Sequence, residues 1–287
     1  MNYRFKEDLQ VIRFPQGLID EDRGLKACCP VLLVLASTTD SENWKNDVEQ
    51  VTVKKSAPSD IVNFVVTKCG SSVPLSNLGD QGIYPQDTTA FGFVFDWKQY
   101  LITYGVGKYT ISVEFTISGV TGGYQHGQYD LQEYSIMSAA NTVRVWSEPS
   151  TYSERELIDY TGSNIRSSIR FLGFFGDRQP KTVINNLVSK GRVVEKVTRE
   201  NLNEYTLKTN LIDNVVMRAL LNYHFINEDV LLITDHNATN PDYHLFDIPV
   251  VLEGSPEPEY LQASRTAKLT ATFGDRKKLD KSYYNLQ

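Results

Sequence analysis

Residues 154–212, ERELIDYTGSNIRSSIRFLGFFGDRQPKTVINNLVSKGRVVEKVTRENLNEYTLKTNLI, decide the fold class of this chain. Ile165, Ser167, Ile169, Phe171 and Phe175 share one parity, while Arg166, Ser168 and Arg170 take the other. A period of two marks a strand with one face in a core and one in water. The string GDRQP (176–180) combines Gly and Pro and is expected to end that strand. VINNLV (183–188) and VVEKVT (193–198), joined through SKGR, read as a hairpin. NEYTLKTNL (203–211) alternates Tyr205, Leu207 and Leu211 with Thr206, Lys208 and Asn210. The stretch is architectural: alternating faces, paired edges and turns, with no group set up to move a proton or an electron.

The same reading extends in both directions. Alternation recurs in VEQVTVKK, IVNFVVTK and FGFVFDW. It is clearest in KYTISVEFTISG, where Tyr109, Ile111, Val113, Phe115 and Ile117 oppose Thr110, Ser112, Glu114 and Thr116. Short strands punctuated by Gly and Pro clusters argue a sandwich or barrel. One helix is expected over 213–226. Asp213 is its N-cap, with Val215, Val216, Ala219, Leu220 and Tyr223 on one side and Arg218 and Asn222 on the other. VLLITDH follows as a buried strand.

IDYTG (158–162), SIRFLGFFGDRQP (168–180), NEYTLKT (203–209), LLITDHN (231–237) and SRTAKLTATFGDRK (264–277) together carry a resemblance. They look like virion proteins of tailed bacteriophages of Bacteroidetes-type hosts, the crAss-like group among them. The resemblance covers about the second half of the chain. It implies a tail or neck component, a homo-oligomeric ring around a DNA channel, and a tail-tube-like sheet flanked by one helix. Its implied partners are copies of itself, other tail or neck virion proteins, and genomic DNA only as a passenger. Its implied location is the virion, assembled in the host cytoplasm.

Composition is compatible with that reading and excludes others. At 287 residues and 41% hydrophobic, the chain can build a sizeable core, so global disorder is excluded. A net charge of −6 argues against a basic nucleic-acid groove across the whole chain. Three cysteines make no even disulfide framework, and adjacent Cys28 and Cys29 read as small buried residues. The start, MNYRFKEDLQ, has no apolar signal core, and the apolar run 30–36 is too short to span a bilayer. The expectation is a cytoplasmically assembled protein with no membrane partner.

The motif search yields no catalytic, cofactor-binding or metal-binding assignment. The phosphate loop, GxGxxG, GxSxG and HExxH are all absent. Asp235, His236, Asp242 and His244 lie in one segment, DHNATNPDYH, but at no zinc spacing, so the segment reads as a polar turn. The string GVTGGYQHGQYD reads as a flexible loop whose Tyr124, His126 and Tyr129 contact a partner. Arg276, Lys277 and Lys278 in the basic tail are further possible partner contacts. Trp44, Trp97 and Trp146 read as core residues. As exposed sugar platforms they would instead make the chain a β-sandwich carbohydrate-binding or host-adhesion module, the alternative function.

The expected organisation is mainly β: an arm over 1–27, a β-sandwich-like domain over 28–150, and a second, tail-tube-like β domain with its helix over 151–254. A Pro-rich link, a strand and an arm over 255–287 complete it. The strand over 265–273 has few bulky residues and two readings. It either joins a neighbour during assembly or forms an edge of the chain's own sheet.

Overall fold

The computed structural model describes residues 9–11, 31–39, 42–55, 61–71, 73–82, 90–117, 120–149, 152–153, 158–163, 165–188, 194–226, 230–236, 245–261 and 266–276. The protein is mainly β, as the alternating runs predict. β1 (Leu9–Val11), β3 (Val48–Lys55), β5 (Gly79–Gly82) and β6 (Ala90–Asp96) form one sheet in the order β1-β3-β6-β5. β2 (Val31–Ala36), β4 (Ile61–Lys68), β7 (Gly107–Ile117) and β8 (Val120–Glu133) form a second in the order β2-β8-β7-β4. Pairing is antiparallel except for β2 beside β8.

The period-2 face of β7 is buried at Tyr109, Ile111, Val113 and Phe115. It meets Val51, Val53 and Phe95 of the other sheet in one core. Phe64 and Phe95 meet edge-on at 6.0 Å, so the two sheets form a sandwich. Helix α1 (Trp97–Tyr104) starts where the Asp96 side chain accepts from the Lys98 N–H, and it sends Trp97 and Tyr100 into the same core. Trp97 is therefore the core residue the sequence suggests.

The string GVTGGYQHGQYD is not a loop. Its residues from Val120 onward are strand β8, paired with β7 from Ile117↔Val120 to Gly107↔Leu131. The glycines serve close packing: a Cβ on Gly122 would stand 2.9 Å from the Phe115 ring. One register shift, between Ile111↔Gly127 and Ser112↔Gln125, leaves His126 as the extra residue of a β-bulge.

The second unit is one antiparallel sheet that closes on itself. Its strands are β9 (Thr142–Glu148), β12 (Ser167–Val188), β13 (Val194–Thr209), β14 (Ile212–Asp213), β15 (Val230–Asp235), β16 (Leu245–Tyr260) and β17 (Thr266–Asp275). The order is β13-β12-β9-β15-β16-β17-β14, and β13 also pairs with β17, so the sheet closes between those two strands, with the two-residue β14 beside β17. β10 (Tyr152–Ser153) and β11 (Ile158–Asp159) make a small separate ladder. The sequence reading grouped β9 with residues 28–150; in the structure it sits between β12 and β15 of this barrel. The apolar core of the barrel is continuous with that of the sandwich.

Four local expectations are corrected. GDRQP does not end β12. The strand continues through it with a register shift between Gly176 and Gln179. Pro180 is tolerated because, among the described residues, β12 has only β13 beside it there. SPEPEY is likewise strand, the outer part of β16, paired with β17 as Pro258↔Leu269 and Tyr260↔Ala267. Gly254, with φ 76°, absorbs the shift that precedes it. β17 is neither an assembly arm nor an edge: it pairs with β13, β14 and β16, and Ala267, Leu269, Ala271 and Phe273 are buried. Leu211 is exposed, since β13 ends at Thr209 before the alternation reaches it.

The expected helix is present with its Asp213 cap, as α3 (Asn214–Ala219). α2 (Ile136–Ala139) is a single turn between β8 and β9. α3 continues into a π turn, Leu220–His224, which brings the consecutive residues Tyr223 and His224 both to buried positions.

Candidate assembly ribbon and buried polar seam

Where the sandwich meets the barrel, the contact is polar. Asp47, just before β3, is buried between two arginines of the barrel. Arg144 donates from Nε to Oδ1 at 2.9 Å, and Arg170 donates from Nε to Oδ2 at 2.9 Å and from Nη2 to Oδ1 at 3.0 Å. The Leu35 N–H also donates to Oδ2, at 2.8 Å. Arg144 reaches further, to the Asn46 carbonyl at 2.8 Å and the Asp247 carboxylate at 3.3 Å, and lies over the Trp146 ring. Arg170 donates to Thr142 Oγ1 at 3.1 Å. Burial by itself pushes the Asp47 carboxyl up, but the charges of Arg170 and Arg144 and the hydrogen bonds outweigh it and hold it below its ordinary range.

This corrects the first reading of β12. Ser168 and Arg170 do take the opposite parity to Ile169 and Phe171, but that face is covered by β3, and Ser168 and Arg170 are buried. Ser168 Oγ accepts from the Val48 N–H at 2.9 Å. The seam continues with Tyr223, whose hydroxyl donates to Gln50 Oε1 at 2.7 Å. Ser147 Oγ and His224 Nδ1 are 2.9 Å apart. A serine against a histidine could begin a nucleophile–base pair, but both residues are 0% exposed, so this contact is packing between elements.

Tyr124, His126 and Tyr129 are strand residues of the sandwich interior, not a partner-facing tip. His126 is 1% and Tyr129 0% exposed, and His126 Nε2 lies 3.2 Å from Glu49 Oε1 on the facing sheet. Tyr124 is half-buried, and burial pushes its hydroxyl up. Arg276 is exposed at the end of β17, with its N–H donating to the Pro249 carbonyl. Lys277 and Lys278 lie outside the described residues, as do Asp242, His244, Cys28 and Cys29.

Asp235 is a structural acceptor, taking the Phe175 N–H at 3.0 Å. His236 packs its ring against Trp44, Tyr134 and Phe246. Among the described residues no group of three or more His, Cys, Asp or Glu side chains could hold a metal ion. Trp146 is buried. Trp44 is half-buried, stacked on Phe246 at 4.1 Å, with Lys45 Nζ 4.7 Å from its ring centre. Phe246 fills one face of the ring, which is thereby closed to a sugar.

One feature projects from the barrel. β12 is held by β9 only over Ser167–Leu172, and β13 by β17 only over Glu204–Lys208. Beyond these, β12 and β13 pair only with each other among the described residues, from Pro180↔Asn203 to Val188↔Val194. At a strand rise of about 3.3 Å per residue, this ribbon extends roughly 25 Å. Its root is pinned by Asp275: Oδ2 accepts from Asn203 N at 3.1 Å and Nδ2 at 2.6 Å, and Oδ1 accepts from the Tyr205 hydroxyl at 3.0 Å. Inside the root, Phe175 stacks on Tyr205 at 5.2 Å. The hairpin is legible in the sequence; its length is not, because GDRQP conceals the continuity of β12.

No protein-family model matches this chain, and no curated protein matches it.

Proposed function

We propose that this chain is a structural component of a tailed-phage virion, forming a homo-oligomeric ring in the tail or neck that stacks on other virion proteins around a DNA channel. The observation that carries the reading is the β12–β13 ribbon. A two-stranded ribbon projecting alone into water is only marginally stable, whereas one laid on a neighbouring subunit recovers backbone pairing and apolar burial. The rigid barrel, flanked by α3, supplies the body, and the clamp of Asn203 and Tyr205 on Asp275 fixes the direction of the arm. Ring closure then uses heterologous surfaces of the bodies, and the arms lock one layer to the next. The tryptophans lend no support to a carbohydrate-binding module, since Trp97 and Trp146 are buried and Trp44 is half-buried and stacked on Phe246.

The test is negative-stain imaging of the purified protein together with its copy number in purified virions. The expected result is ring-shaped particles and a copy number that is a multiple of six. Virions that lack the protein would overturn the reading.

A further inference from the structure

The two outer edges of the ribbon differ in chemistry. The β13 edge is defended: it carries Glu195, Lys196, Arg199 and Glu200, and it has a β-bulge at Val197, since Asn185 pairs with Thr198 and Asn186 with Lys196. Charges and bulges are the devices that keep an edge strand from accepting another strand. The β12 edge has neither. From Thr182 to Val188, TVINNLV, it is uncharged, carries no extra residue, and contains Val183, Ile184, Leu187 and Val188.

We infer that this β12 edge is a strand-addition site whose partner is the same edge of a second copy of the chain. The segment can run antiparallel to itself with its two-fold axis at Asn185, since the same edge of two identical strands pairs residues of like parity. Val183 then stands opposite Leu187 of the second copy, Thr182 opposite Val188, Ile184 opposite Asn186, and Asn185 opposite its own copy, with no charged residue opposite another. The product is a four-stranded sheet, β13-β12-β12-β13, whose outer edges are both the charged, bulged ones. Other described edges of the chain fit less well. The outer part of β16 carries Pro256, Pro258, Glu257 and Glu259. The β4 edge is occupied by Leu75, whose N–H donates to the Val66 carbonyl, and by Asn77, whose side chain donates to the Phe64 carbonyl. An antiparallel pair of identical strands is two-fold, so this contact joins protomers in pairs across layers rather than continuing round a ring.

The inference rests on the reading of the ribbon as an assembly element, and its test separates the two. The full-length chain is compared with Ile184→Lys, which puts a charge on the β12 edge, and with Thr198→Lys, which adds one to the β13 edge. Sedimentation should show a self-association that Ile184→Lys weakens by roughly tenfold or more and Thr198→Lys leaves unchanged. Directly opposed strand residues lie within disulfide reach. Asn185→Cys chains under mild oxidation should therefore give a disulfide dimer in excess of that from Asn186→Cys chains, whose cysteine would stand opposite Ile184. The parent chain, with its own cysteines, sets the background. Particles whose mass survives Ile184→Lys, or an Asn185→Cys chain that cross-links no better than Asn186→Cys, would overturn the pairing and leave the assembly reading standing. A parent chain that is monomeric at every concentration would overturn both.

Discussion

Arg170 grips Asp47 side-on, through two parallel N–H···O bonds of 2.9 and 3.0 Å, across 123 residues of sequence. This bidentate contact ties the sandwich to the barrel, and Arg144 completes it from the next strand. Replacing Asp47 with Ala leaves two buried guanidinium groups facing each other without their shared carboxylate. The expected cost is about 3–5 kcal/mol. Replacing Asp47, Arg144 and Arg170 together with apolar residues of similar volume should cost far less than the single change, because no orphan charge remains. Urea unfolding of the two variants measures the difference.

The same carboxylate sets a pH dependence. Its folded pKa lies below the ordinary 3.8, so the native state binds this proton more weakly than the unfolded chain does. The stabilisation is therefore fully present above that ordinary value and is lost as pH falls through the lower, folded one. Urea midpoints followed downward from pH 7 should fall for the parent on the acid side of 3.8. The Asp47→Asn variant should start lower and lose less over the same interval. Equal acid losses in the two proteins would show that Asp47 is not the group responsible.

Trp97 is fully buried among Tyr100, Tyr109 and Tyr129. Trp97→Ala should cost about 3–5 kcal/mol, and Trp97→Phe clearly less. Thermal melts check both. A melting temperature unmoved by the alanine change would place the ring outside the core.

Truncation after Ala263 removes β17, which closes the barrel between β16 and β13 and contributes Phe273, Leu269 and Ala267 to its core. The expected product is insoluble or unfolded. A soluble product with an intact far-ultraviolet spectrum would mean that the barrel does not need its closing strand.

The strands were legible wherever one face meets a core and the other meets water, as in β7 and in Tyr205 and Leu207 of β13. Parity alone does not say what covers the second face. Arg170 and Ser168 look solvent-facing because the residue that buries them, Asp47, is remote in sequence. Glycine and proline misled for a related reason. Gly122 lies beneath the Phe115 ring, and Pro180 and Pro258 sit where, among the described residues, one side of a strand has no partner, so these residues mark close packing and strand edges rather than loops. The N-cap of α3 was legible because Asp213 acts on its own neighbour, the Val215 N–H, at 2.8 Å.

The central claim, that the β12–β13 ribbon is an assembly element on a self-sufficient barrel, is tested most directly by removing it. Thr182 and Asn201 are cross-strand partners, as are Lys181 and Leu202, so residues 182–201 can be replaced by a two-residue Asn-Gly turn that joins Lys181 to Leu202. The measurement is the mass in solution of the full-length and shortened chains, read beside their melting temperatures. The expected result is an oligomer for the full chain and a smaller species for the shortened one, at nearly equal melting temperature. A shortened chain that assembles to the same number of subunits, or that no longer folds, would contradict the account.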